Sequence, residues 1–325
     1  LLVLVFFVSF VGFSQDAKER NQENINVNKF RQLYQEFSSP NMFRTASGAP
    51  GPAYYQQQAD YKMDIELDDE NKRIYGSETI TYTNNSPDNL EYLWVQLDQN
   101  IRKKDSPSLL IDGGGVSPAY LPSGFTKEFL TDSFDGGFNI EYVVDENKNP
   151  LKHFVNQTMM RVDLPNILKS GESFSFSIKW WYNIQDHVNQ DGRSGYESFD
   201  KDGNRVYIIA QFFPRMAVYN EVEGWQNYQF WGDGEFALPF GNYDVKITVP
   251  SDHILDATGE LQNRKNVFSK EMIKRYNKAK KTYDKPVMIV TQAEAEEVEK
   301  GFSKKKKTWH FQAENVRDFA FATSR

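Results

Sequence analysis

The sequence alternates apolar and polar side chains in the heptapeptide Tyr61-Lys62-Met63-Asp64-Ile65-Glu66-Leu67. A period of two places successive side chains on opposite faces of the backbone, so the pattern indicates a β-strand with one buried face. The same alternation recurs at Ser173–Trp180 and Tyr243–Val249, where it predicts further half-buried antiparallel strands. Arg73–Asn84 and Leu90–Leu97 are also predicted strands, because turn-forming residues bound them. The chain is therefore expected to be mostly β.

The composition changes between residues 269 and 307, where charged residues dominate. Apolar residues at helical spacing behind a possible N-cap at Ser269 predict a short helix that ends before Pro286. A strand-like Val287–Val290 follows, and the capping-box pattern of Thr291 and Glu294 predicts a second short helix. We interpret this stretch as a charged helical insertion in an all-β, sandwich-like domain. An apolar strand is predicted again at residues 319–322.

The overall composition excludes several classes of protein. Of 325 residues, 39% are hydrophobic and 15% are aromatic, which excludes wholesale disorder. The net charge of −7 disfavours nucleic acid and anionic lipid as main partners. Cysteine is absent, so disulfides, cysteine-ligated metals and thiol nucleophiles are excluded.

The first residues have the pattern of a secretion signal. Residues 1–11 are apolar, a run too short to span a bilayer, and small residues follow at Gly12 and Ser14. We expect residues 1–14 to be a signal peptide, clipped at its start and cleaved before Gln15. The mature protein would then be exported to the periplasm, the cell surface or the medium, without a membrane span. A polar segment at residues 15–53 is predicted to precede the β-domain at residues 54–325.

No assembled catalytic centre is visible in the sequence. None of the four histidines begins an H-E-x-x-H motif, and no serine lies in a G-x-S-x-G elbow. We therefore assign no catalytic residue and no metal ligand to this chain.

The most distinctive segment is residues 206–241. A hydrophobic strand leads into Gln211-Phe212-Phe213-Pro214-Arg215, and the aromatic residues Trp225, Tyr228 and Trp231 follow. Core packing explains aromatic residues in a sandwich, and a substrate or partner surface is the alternative explanation. Both interpretations stay open at this stage.

The order of several segments resembles the N-terminal β-domain of the M1 zinc aminopeptidases, in particular secreted bacterial members. The segments are the hairpin Tyr61–Asn84 with Gly76, Leu164-Pro165 with Lys169–Glu172, Ala210-Gln211-Phe212 ahead of Pro214-Arg215, Tyr243–Pro250, Ala257–Leu261 and Glu314–Ala322. The resemblance covers residues 54–325 and implies a saddle-like or sandwich domain. It also implies a parent enzyme that removes N-terminal amino acids from peptides, with its zinc ligands and catalytic domain beyond Arg325. The fragment alone would be inactive, and its partners would be peptide substrates and that catalytic domain.

The resemblance assigns substrate-binding roles to Gln211 and Phe213. Phe213 stands where the family usually has an acid or amide, so it departs from the pattern. If strand alternation continues from Ile209 to Phe213, Gln211 and Phe213 share one face. That face would form a wall of the substrate pocket.

Two other functions fit the sequence. One is a carbohydrate-binding β-sandwich whose exposed Trp225, Tyr228 and Trp231 stack on sugars. The other is an M1-like adaptor that has lost its zinc. An H-E-x-x-H motif with a downstream glutamate in the reading frame past Arg325 would separate the enzyme from both.

Overall fold

The structure, a computed structural model, describes residues 40–108, 119, 121–126, 134–188, 192, 194–232 and 237–325. The expected signal peptide at residues 1–14 and most of the polar segment at residues 15–53 lie outside these ranges. The chain divides into two compact units at Ala53 and Tyr54. The unit that begins at Tyr54 contains all the elements below.

Strands make up most of the regular structure of this unit. They are β1 (Gln58–Asp68), β2 (Arg73–Thr83), β3 (Leu90–Gln96), β4 (Asn139–Asp145), β5 (His153–Asn156), β6 (Met159–Leu168), β7 (Ser173–Asn183), β8 (Gly195–Phe199), β9 (Asn204–Ile209), β10 (Arg215–Met216), β11 (Tyr219–Asn220), β12 (Gly224–Trp225), β13 (Gly241–Pro250), β14 (Ile254–Ala257), β15 (Glu260–Leu261), β16 (Lys306–Val316) and β17 (Phe321–Ser324). A 3₁₀ helix covers Asp98–Arg102, and the α-helices are α1 (Pro122–Phe125), α2 (Arg264–Val267), α3 (Lys270–Ala279) and α4 (Gln292–Val298).

The largest sheet has seven strands in the order β15-β16-β13-β1-β2-β7-β4. The alternation of β1 buries one face of this sheet, which carries Tyr61, Met63 and Ile65. The opposite face is partly exposed and carries hydroxyl pairs between neighbouring strands, such as Thr79 with Ser177 at 2.9 Å. The predicted strand at 243–249 forms within β13, but it pairs in parallel with β1 and antiparallel with β16. The expectation of a purely antiparallel arrangement is wrong there, because the period of two does not encode strand direction.

Three smaller sheets complete the domain. Their strand orders are β10-β3-β6-β5, β14-β17-β9-β8 and β11-β12. A single hydrophobic cluster joins the inner face of the large sheet to apolar side chains of β3, β6 and β9. The prediction of an all-β, sandwich-like domain with a small helical insertion is confirmed.

The helical insertion begins and ends at side-chain caps. The Ser269 hydroxyl accepts a hydrogen bond from the backbone N–H of Met272 at the start of α3. Thr291 and Glu294 form both hydrogen bonds of a capping box at the start of α4. The predicted strand at 287–290 does not form. A short apolar run has no β-structure without a neighbouring strand to complete its hydrogen bonds, and this run pairs with none of the described strands.

Within the described residues, no helix is both long and apolar enough to cross a membrane.

Candidate functional site

The candidate site is a sharp bend between β9 and β10. The strand β9 ends at Ile209, and Gln211 has a backbone φ of 52°. This left-handed conformation is uncommon for a residue with a side chain, because Cβ crowds the neighbouring carbonyl. The backbone therefore turns away from the strand direction at Gln211.

Two buried side chains hold the backbone of this bend. Gln99, in the 3₁₀ helix, donates a hydrogen bond from its Nε2 to the carbonyl oxygen of Gln211 at 2.9 Å. Trp180, in β7, donates from its indole Nε1 to the carbonyl oxygen of Phe212 at 3.2 Å. Both donors are almost fully buried, so water cannot easily replace them. The carbonyl groups of the bend are thus satisfied by side chains from two distant elements.

The side chain of Gln211 itself is not used in this network. The residue is partly exposed, and the described part of the chain contains no hydrogen-bond partner for its amide. A strained backbone that carries an unused polar side chain is a feature found at ligand-binding positions. The amide could accept a hydrogen bond from an ammonium group and donate one to a carbonyl.

Phe213 lies in the core instead. Its side chain is fully buried, and its ring makes edge contacts with Tyr61 at a centroid distance of 5.4 Å and with Phe212 at 5.0 Å. The expectation that Gln211 and Phe213 share one face is wrong, because β9 ends before Gln211 and the left-handed residue breaks the alternation. Only Gln211 of the two is accessible to a ligand in the described structure.

Directly after the bend, Arg215 forms a buried ion network. Its guanidinium lies 2.9 Å from a carboxylate oxygen of Asp98 and 2.6 Å from one of Asp318. Burial alone would lower the pKa of Arg215, but the two carboxylates outweigh it and raise that pKa. Removing one partner of such a network leaves an uncompensated buried charge. The network therefore holds Arg215 in place at the point where the chain leaves the bend.

A second ionisable group lies in the core of the large sheet. Glu78, on β2, is 2% exposed, and neither of its carboxyl oxygens has a hydrogen-bond partner among the described residues. Burial raises the pKa of Glu78 well above its usual value. The neutral form of this side chain therefore persists to a higher pH than that of an exposed glutamate.

The three aromatic residues of the carbohydrate-binding alternative do not form one exposed platform. Trp225 is partly buried, with its ring 5.2 Å from that of Tyr219 and 5.9 Å from that of Tyr82. Tyr228 is 58% exposed and donates a hydrogen bond to Glu223. Sugar stacking requires accessible aromatic faces, and Trp225 uses its face for packing.

The described residues do not bring metal ligands together. In these ranges no three His, Cys, Asp or Glu side chains lie close enough to hold a metal ion. His153 contacts the carbonyl oxygen of Leu151, His253 contacts Thr323, and His310 contacts Asp244. These side chains do not fit a zinc site with three or four protein ligands.

No sequence pattern predicts that Gln99, Trp180 and Asp98 belong to this site. Each is separated from the bend by 30 residues or more, as the pair Trp180 and Phe212 illustrates. Short-range patterns carry no signal for such contacts. The sequence shows only that the polar residues Asp98 and Gln99 directly follow the predicted strand at 90–97.

The known proteins that resemble this chain are found among solved structures. No protein-family model matches the chain, and no curated protein matches it. Among solved structures, the chain is similar to an M1 zinc metallopeptidase from Deinococcus radiodurans, with 12% identity and a TM-score of 0.41 over 84% of this chain and 43% of that one. A mutant of that enzyme bound to a Tyr-Ser-Ala substrate gives 12% identity and a TM-score of 0.40, over 82% of this chain and 42% of that one. The chain spans less than half the length of these structures.

Proposed function

We propose that this chain is the N-terminal, pocket-shaping domain of an exported zinc aminopeptidase of the M1 type. The catalytic residues and the zinc ligands would belong to another domain of the parent protein, since the described residues here offer no metal site. The zinc would supply an activated water for hydrolysis in that domain. The role of the present chain would be to bind and orient the amino terminus of the peptide substrate.

The observation that carries this proposal is that the bend leaves the side-chain amide of Gln211 accessible. The residue lies in the segment whose order resembles the M1 family, its backbone is held in a left-handed conformation, and its amide is accessible. Maintaining this conformation costs on the order of 1 kcal/mol. Four other non-glycine residues of the described chain also have a positive φ, so the accessible amide of Gln211, rather than its left-handed backbone alone, supports the pocket role.

In this proposal the side chains behind Gln211 have a positioning role. Gln99 and Trp180 fix the backbone, and Phe213 fills the core beneath the bend. The Gln211 amide oxygen could then accept a hydrogen bond from the substrate ammonium group. Hydrogen bonds that involve a charged partner contribute about 1.5–3 kcal/mol.

The test uses the full-length parent protein and a panel of aminoacyl reporter amides. Gln211→Ala should lower kcat/KM by roughly 10- to 100-fold, as expected for one charge-assisted hydrogen bond, and should leave the zinc content unchanged. Gln226→Ala is the matched control, because Gln226 is also a partly buried glutamine. Equal kcat/KM for Gln211→Ala and the wild type would overturn the pocket role. A folded parent that lacks zinc and turnover would instead support the adaptor alternative.

A further inference from the structure

The net charge of −7 conceals a strong separation of charge along the chain. Residues 264–285 contain nine lysines and arginines and two acidic residues, so this stretch carries +7 and the remainder carries −14. A protein with such a distribution is oriented in the field of an anionic surface, even when its total charge is negative. The positive stretch includes all of α2 and α3.

The lysines of α3 lie on one side of the helix. Lys270, Lys274 and Lys278 are spaced by four residues, which places them within a sector of about 80° on a helix of 3.6 residues per turn. All three are exposed. Lys274 has only a long contact of 3.9 Å with Glu271, and the described structure shows no ion pair for the other two.

The opposite side of α3 packs on its own domain. Tyr276 lies 6.1 Å from the ring of Phe268, and Met272 lines an apolar groove of about 300 Å³ against β14 and β17. Arg275 also faces inward, where it pairs with Glu294 at 2.7 Å. These contacts fix the helix so that the lysine side faces outward.

Two exposed side chains with large apolar surfaces lie in the segment after α3. Tyr283 is 93% exposed and Met288 is 66% exposed. The Tyr283 hydroxyl donates a hydrogen bond to the carbonyl oxygen of Lys280, which places the tyrosine at the C-terminal end of α3. Further exposed lysines, Lys281 and Lys285, flank it. Aromatic rings next to lysines are typical of segments that lie at the interface between a membrane and water.

We propose that α3 and the loop to Met288 form a docking surface for an anionic phospholipid bilayer. The lysines would contact lipid phosphates, and Tyr283 with Met288 would enter the headgroup region. A soluble anionic polysaccharide offers the same charge but no apolar layer, so the two exposed apolar residues favour the bilayer. This inference is independent of the proposed peptidase role.

The test measures co-sedimentation of the full chain with phosphatidylcholine vesicles that contain or lack phosphatidylglycerol. Binding should require the anionic lipid and weaken as salt is raised. Each lysine near an anionic surface contributes to the binding free energy. The triple variant K270Q/K274Q/K278Q should therefore lower the partition coefficient on the order of 100-fold. The control K62Q/K169Q/K201Q removes the same charge from exposed lysines elsewhere and should bind more tightly than the α3 variant.

Further variants separate the possible outcomes. Tyr283→Ala with Met288→Ala should weaken vesicle binding by at least about threefold and leave binding to soluble alginate unchanged. Circular dichroism melting of every variant checks that the domain is folded. Three results would overturn the proposal. They are equal binding to vesicles with and without phosphatidylglycerol, an equal loss of vesicle binding in the two lysine variants, and tighter binding to alginate than to vesicles.

Discussion

Gln99 donates a hydrogen bond to the backbone carbonyl of Gln211, 112 residues away in the sequence. The donor is 2% exposed, and the acceptor residue has a φ of 52°. This contact links a 3₁₀ helix to the strained bend and explains how a non-glycine residue can keep a left-handed backbone there. It has a direct consequence for stability.

Gln99→Ala should destabilise the chain by about 1–3 kcal/mol, because it leaves the Gln211 carbonyl without its donor. Urea unfolding gives the change in the free energy of unfolding. Gln211→Gly relieves the backbone strain, so the loss caused by Gln99→Ala should be smaller in the double variant. Gln226→Ala is the control, and a loss no larger than that of the control would contradict the role of Gln99.

Phe213→Ala should cost about 3–5 kcal/mol of stability, because it leaves a cavity beneath the bend. The comparison is Phe154→Ala, whose ring is 65% exposed and whose removal should change stability by no more than about 0.5 kcal/mol. Thermal unfolding measures both. A near-wild-type midpoint for Phe213→Ala would contradict the core role and favour the interpretation that Phe213 lines the substrate pocket.

The buried Glu78 should make the fold less stable as the pH rises. Its pKa is raised in the folded state, so the folded chain retains a proton that the unfolded chain releases. This contribution is fully present below the ordinary glutamate pKa and is lost as the pH climbs toward the folded pKa. Glu78→Gln mimics the neutral acid, so its stability relative to wild type should increase with pH. Glu91→Gln, at an exposed position of β3, is the matched control for the loss of one carboxylate.

His253 should act in the opposite direction, because it lowers the stability of the fold as the pH falls. Burial, with the nearby Arg325, lowers the pKa of this fully buried imidazole to about 4. The unfolded chain therefore binds a proton first, and stability should fall by about 3 kcal/mol as the pH drops from about 6.5 to 4. His253→Phe removes the titrating group, and Thr323 keeps its hydrogen bond to the carbonyl oxygen of Ile254. Urea midpoints of the wild type and His253→Phe at pH 7, 5.5 and 4 check this expectation. An equal fall of the two midpoints with decreasing pH would contradict it.

Much of the fold could be predicted because it depends on local patterns. The heptapeptide at 61–67 lies within β1, and the caps at Ser269 and Thr291 begin helices as predicted. Alternation and capping involve neighbours in the sequence, so they leave a readable pattern.

The candidate site was less predictable, because its contacts are long-range. Alternation suggested that Gln211 and Phe213 point the same way, but the backbone leaves the strand at Ile209. A left-handed glutamine has no sequence signature, since its conformation depends on donors such as Gln99 and Trp180. The parallel pairing of β1 with β13 was missed for the same reason.

That parallel pairing also restricts the order in which the chain can fold. Tyr61 lies beside Tyr243 in the register of β1 and β13, 182 residues later in the sequence. The hairpin of β1 and β2 can form early, but the other edge of β1 stays open until β13 has been synthesised. Closing so long a loop is slow, and an open apolar strand edge invites pairing with other chains. The yield of refolding from denaturant should therefore fall as the protein concentration rises, because the open edge of β1 pairs with other chains.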